Sequence, residues 1–167
     1  VELGVLEDAV VCGDVSHVLR LPALSQVIHL PKGGTLLVMR HLSFTTDYGL
    51  TDAFVAICHG VALSAAPGVR IIDVTHLVPL ADVRRGAAVL ADAVPYLPPD
   101  TVHVAVVDPG VGTARRAIVV ETPRGHLIGP DNGLLLPAAD ALGGVTAAVE
   151  LTEATPARTF HGRDLFR

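Results

Sequence analysis

"VHVAVVDPGVGTARRAIVVET", residues 102–122, decides the fold by the kind of element its glycines lead into. A Val-rich strand runs into Asp108 and Pro109, and Gly110 and Gly112 then allow a tight turn and close backbone approach. A Gly-x-Gly behind a strand invites a phosphate-loop reading, which needs a helix N-terminus to hold the anion. Here "AIVVET" (117–122) comes next instead, a run of strand formers, so the dinucleotide reading is demoted. There remain an acid, Asp108, and a base, Arg115, at the two shoulders of a turn and close enough to pair. The commoner reading of such a pair is a structural salt bridge, and the sharper one is a site where acid and base act together.

Outward from this loop, the pattern alternates between strands and helices. "TLLVMRHLSF" (35–44) reads as a strand and "TTDYG" (45–49) as a polar turn. Thr51 and Asp52 occupy the cap and first turn of a helix whose stripe is Phe54, Ile57, Val61 and Ala65, ended by Pro67-Gly68. "VRIIDV" (69–74) is a second strand. Asp82 caps a second helix with the stripe Val83, Ala87, Leu90 and Val94, stopped by Pro95. "GHLIGP" (125–130) and "VTAAVEL" (145–151) read as strands, and "LLLPAADAL" (134–142) as a short helix with Pro137 in its first turn. The expected fold is α/β, a largely parallel central sheet flanked by helices, with a β-hairpin inserted around the 108–116 loop.

The chain of 167 residues is large enough for one domain with a sizeable core. Half of it is hydrophobic and only 17% charged, with a mean hydropathy of +0.53. No run approaches the roughly 18 apolar residues of a membrane span. The net charge of −5, with no basic cluster longer than a pair, argues against nucleic acid. Cys12 and Cys58 belong to no CxxC pattern, which suits a reducing compartment and points to the cytoplasm. Residues 1–38 lack clear periodicity and carry a "PKGG" break, while Met39 stands directly before "RHLSFTTDYG". The expected division is therefore an N-terminal extension, 1–38, and a domain, 39–167, that stops without a closing element.

Four constellations carry chemistry. Asp47, in "TTDYGLTD", sits at the C-terminal end of the first domain strand, where open α/β sheets bind ligands. It is a cap-and-turn acid or a carboxylate able to bind a ribose diol. Asp108 and Arg115 form the second. "GPDNGLLLP" (129–137) is a strong turn signal and reads as structural. "TFHGRD" (159–164) offers His161, a buried hydrogen-bonded histidine or a catalytic one. The other histidines, His59 and His76 among them, show no HxxxH spacing and are read as non-ligands, with no metal expected.

"LSFTTDYGLTDAFV", "IIDVTH", "VVDPGVGTARR", "GPDNGLLLP" and "TFHGRD", in that order, resemble the S-adenosylmethionine (SAM) hydroxide adenosyltransferases, or SAM hydrolases, relatives of the SAM-dependent fluorinase and chlorinase. The resemblance runs from about Met39 to the end. It implies the N-terminal domain of the fluorinase-like fold, without the C-terminal β-barrel domain and so C-terminally truncated. It implies cleavage of SAM into adenosine and L-methionine by water attacking the ribose 5′ carbon, with SAM as substrate and no cofactor. It assigns Asp108, Arg115 and His161 to positioning and activating the water. Asp47 is assigned to the ribose hydroxyls, with Asp52 in the same pocket and Pro109, Phe160 and Gly162 beside the sugar and nucleophile. Family members assemble as trimers, each pocket lying between one subunit's N-terminal domain and its neighbour's C-terminal domain. The halogenating relatives carry tyrosine at the position of Asp108 and lack the histidine of His161, so the resemblance favours water over halide. A SAM halogenase and a non-catalytic SAM- or adenosine-binding fragment are the alternatives.

Overall fold

The structure is a computed structural model that describes residues 41–151 and two short strands ahead of them. Those strands, β1 (Val27–His29) and β2 (Thr35–Leu37), pair antiparallel with each other. The sheet strand is β3 (His41–Thr46), so the expected single strand over 35–44 is divided between two sheets. The sequence reads as one strand because both halves are apolar; only the pairing partners distinguish them.

The domain continues as α1 (Phe54–Ala65), β4 (Arg70–Thr75), α2 (Val83–Ala93), a 3₁₀ turn (Val94–Tyr96), β5 (Thr101–Val106), β6 (Ala117–Thr122), β7 (Gly125–Pro130), α3 (Leu136–Ala141) and β8 (Ala147–Glu150). Six strands form one sheet in the order β4-β3-β5-β7-β6-β8. The pairs β3–β4, β3–β5 and β5–β7 are parallel, and β6 is antiparallel to both β7 and β8. The hairpin is thus β6–β7, which turns at Pro123-Arg124, and β5 is not paired with β6. The 107–116 loop instead carries the chain across the end of β7, a correction to its reading as the turn of the hairpin. No helix of the described residues is long and apolar enough to cross a membrane.

Every residue of β5 is buried, and its alternation divides the core. Val102, Val104 and Val106 join Leu42 and Phe44 of β3 under α1, while Ala105 and Val107 face α2 and α3 with Leu90, Leu127, Leu134 and Ala138. Helices cover both faces, the arrangement that lets parallel strands be apolar throughout. In α2 the expected stripe holds: Ala87, Leu90 and Val94 are buried, and the Asp82 carboxylate accepts the Arg85 N–H at 2.9 Å. In α1 it does not. Cys58, Ala62 and Ala66 face the sheet, whereas Phe54 and Ile57 are 38% and 41% exposed. α1 is apolar on nearly every side, so periodicity could not choose a face, and small side chains took the one closest to the sheet.

Candidate active site

The chain leaves β3 through α1 to reach β4 on one side, then returns through α2 to β5 on the other. The strand order reverses between β3 and β5, and ligands of open α/β sheets bind at the C-terminal edge of such a reversal. Thr46 and Val106 are register partners at that edge. Asp47 comes directly after the first, and Asp108 two residues after the second. The two acids singled out from sequence therefore stand on neighbouring strand ends at the switch point.

Each acid is held by backbone on one oxygen. Asp47 Oδ2 accepts the N–H of Ala81 at 2.8 Å, fixing a residue whose φ of 63° is unfavourable for alanine. The Asp47 loop is also tied to the segment after β4, through Gly49 N–H to His76 O (2.8 Å) and Val78 N–H to Thr46 O (3.3 Å). Asp108 Oδ1 accepts the Gly110 N–H at 2.8 Å, closing the turn on itself. Among the described residues, Asp47 Oδ1 and Asp108 Oδ2 accept no hydrogen bond, and both side chains are half-buried. Each acid thus combines a fixed orientation with one acceptor oxygen to spare.

Arg115 does not pair with Asp108. Its Nη1 donates to the backbone carbonyl of Asp131 at 3.1 Å, and its guanidinium lies across Gly110, where a Cβ would come within 2.6 Å of Nη2. The expected ion pair is replaced because the Asp108 carboxylate turns back onto its own loop, and the end of β7 offers the guanidinium a carbonyl. Gly110 joins the two side chains instead, its N–H on the acid and its bare α-carbon beneath the base. Arg116 takes the Asp131 carboxylate in an ion pair, with Glu150 Oε2 4.0 Å from its Nη1. Asn132, from the "DNG" turn, buttresses the site: its Nδ2 donates to Val107 O at 2.9 Å and its Oδ1 accepts the Leu134 N–H at 3.1 Å.

Asp52 is exposed and accepts the Phe54 N–H at 2.9 Å from two residues ahead of α1; the cap position is Ala53, so Thr51 and Asp52 precede the helix instead of forming its cap and first turn. Pro109 is exposed beside Asp108. Phe160, His161 and Gly162 lie outside the described residues. Sequence reasoning missed a further group, His59, Asp73 and His76, whose donor atoms lie within 4.8 Å of one another. Its members come from α1, β4 and the segment after β4, so no local spacing announces it.

The profile of the SAM hydroxide adenosyltransferase N-terminal domain matches residues 42–167. The chain is 69% identical over 130 residues to the (R)-S-adenosyl-L-methionine hydrolase of Salinispora arenicola (strain CNS-205), covering 75% of this chain and 49% of that protein. It is 32% identical over 151 residues to the fluorinase of Actinoplanes sp. (strain N902-109), covering 74% and 51% of the two chains. The fold matches the crystal structure of an uncharacterized conserved protein from Thermotoga maritima with a TM-score of 0.66 at 39% identity, over 73% of this chain and 49% of that one. The chain spans about half the length of the curated relatives it matches. On the ordered motifs, the sheet that carries them and these likenesses together, the chain belongs to the SAM hydroxide adenosyltransferase family, through that family's N-terminal domain.

Proposed function

We propose that this protein acts in the hydrolysis of SAM to adenosine and L-methionine. The observation that carries the reading is Asp108, a carboxylate at the switch point with one oxygen fixed by Gly110 and the other accepting no hydrogen bond among the described residues; the resemblance implies tyrosine at this position in the halogenating relatives. The likeness to a SAM hydrolase at 69% identity, against 32% to a fluorinase, supports water over halide as nucleophile.

The leaving group is a sulfonium. When the C5′–S bond breaks, its electron pair goes to sulfur and the departing group is a neutral thioether, so no general acid is required. The difficulty lies with water, whose pKa is about 15.7 and which must lose a proton as its oxygen bonds C5′. A base that orients the water in line and accepts that proton meets both demands. In this reading Asp108 and His161 hold the water and take the proton. Arg115 keeps the loop in place through Gly110 and the Asp131 carbonyl. Asp47 binds the ribose hydroxyls with its open oxygen, and Asp52, Pro109, Phe160 and Gly162 complete the surroundings of the sugar. The substrate supplies the reactive bond itself, and the chemistry calls for no metal or redox cofactor. The proposal extends to a cytoplasmic enzyme assembled as a trimer, and the exposed Phe54, Ile57 and Leu63 on the outer side of α1 support an apolar contact between subunits.

Asp108→Asn tests the assignment in a polypeptide extended to the length of its relatives. Adenosine release from SAM, monitored by chromatography, is expected to fall at least about 100-fold, the scale of a lost general base. Turnover near that of the parent would remove Asp108 from the mechanism. Formation of 5′-chloro-5′-deoxyadenosine that depends on chloride would transfer the reading to the halogenases.

A further inference from the structure

Beside the Asp47 loop, on the α1 side of the sheet, two imidazoles converge on one carboxylate oxygen. His59 Nε2 lies 2.9 Å from Asp73 Oδ1, and His76 Nε2 lies 3.1 Å from the same atom. His76 is only 5% exposed, yet among the described residues its Nε2 has no hydrogen-bond partner: the short approach to Asp73 lacks hydrogen-bond geometry. Its other nitrogen, Nδ1, is 2.8 Å from the hydroxyl of Thr46. The ring of Phe44 stands 5.8 Å from that of His59 and 6.5 Å from that of His76, walling the group from the core. Asp73 and His59 are partly open to solvent, which leaves an entry path.

The Thr46 contact makes this arrangement informative. In the tautomer that donates Nδ1–H to Thr46 Oγ1, the buried Nε2 presents a lone pair to a carboxylate oxygen 3.1 Å away. Two acceptors facing each other repel, and a cation between them turns the contact into a bonded one. Histidines that bind metals show this pattern, one nitrogen on the ion and the other N–H on an oxygen that fixes tautomer and ring. Bonds of about 2.0–2.1 Å in a tetrahedral site separate neighbouring ligand atoms by roughly 3.3 Å. The two contacts to Asp73 are close to that spacing, and all three donors fall within 4.8 Å of one another. Two imidazoles and one carboxylate suit zinc and its first-row neighbours and do not suit magnesium or calcium, which take oxygen ligands.

We propose that His59, Asp73 and His76 form a binding site for a divalent transition-metal ion of the zinc type, with the remaining coordination positions open to water. The site is separate from the hydrolytic reading and stands whether or not that reading does. It has a structural consequence, because His76 holds the Asp47 loop from two sides, through its ring on Thr46 and its carbonyl on the Gly49 N–H. An ion at this site fixes the His76 ring and, with it, the loop.

The test is calorimetric titration of zinc chloride into the metal-free 167-residue chain, its His59→Gln and Asp73→Asn variants, and a His41→Gln control. The parent and the control are expected to bind one zinc ion that both variants bind at least about tenfold more weakly, with no binding of magnesium. His59 and Asp73 are partly exposed, so neither substitution opens the core, and circular dichroism verifies that each variant is folded. Absence of zinc binding by the parent, or equal affinity in the parent and both folded variants, would overturn the site.

Discussion

At Gly110 a single missing side chain serves two functional groups. The residue donates its N–H to Asp108 and lies beneath the guanidinium of Arg115. The atoms nearest to an added Cβ belong to the far end of that flexible arginine, the closest being Nη2 at 2.6 Å. Gly110→Ala is therefore expected to leave the thermal midpoint within about 2 °C of the parent, as for a change worth a few tenths of a kcal/mol. It displaces the guanidinium, and kcat/KM for SAM in the extended polypeptide should drop at least about tenfold. An unchanged kcat/KM would show that the position of Arg115 over the turn is immaterial. This level also shows how much of the site was visible in the sequence. The placement of Asp47 and Asp108 at neighbouring strand ends was legible because each acid closely follows a strand, although a cap-and-turn acid and a structural salt bridge were the commoner readings of the two. The partner of Arg115 was not, because it is a backbone carbonyl, which any residue at position 131 would supply. The His59, Asp73 and His76 group was hidden for another reason: its proximity is created by the packing of α1 against β4.

Among the elements, α1 and α2 separate what pattern can and cannot say. α2 alternates charged and apolar residues, and its cap is a side chain with an obvious purpose, so its ends and its buried face agree with the sequence reading. Asp82→Ala removes the acceptor of the Arg85 N–H. The expected loss is about 1 kcal/mol of stability, the ordinary value of an N-cap, read as a lower urea midpoint with unchanged slope. No loss would mean that the packing of α2 alone sets its first turn. α1 has an apolar residue at almost every position, so the choice of Cys58, Ala62 and Ala66 as the inner face depends on how closely the helix approaches the sheet. That distance is a tertiary quantity. The same applies to β5 and β6, which are neighbours in sequence with a tight loop between them, yet β7 is inserted between them in the sheet. Strand identity was local information, and strand order was not.

Across the whole molecule, a buried titratable contact within the sheet ties stability to pH. His103, on β5, is buried on the α2 side and makes a 2.8 Å hydrogen bond between its Nδ1 and Ser43 Oγ of β3. Burial, with His126 nearby adding repulsion, lowers its pKa from 6.5 to about 4. The folded chain therefore keeps this imidazole neutral where the unfolded chain takes up a proton. Below pH 6.5 the unfolded state binds more protons, so stability falls as pH drops, and this contribution is fully lost once pH passes below the folded value near 4. Two and a half pKa units correspond to roughly 3 kcal/mol in total, of which about 2 kcal/mol should be lost between pH 8 and pH 5, before most carboxylates titrate. Urea unfolding at those two pH values measures it. His103→Asn keeps a polar group opposite Ser43 and removes the titration. The variant should be less stable than the parent at pH 8, yet its stability should change much less between pH 8 and pH 5. An equal pH dependence in the two proteins would show that other groups, and not the buried imidazole joining β3 to β5, govern the acid sensitivity of the fold.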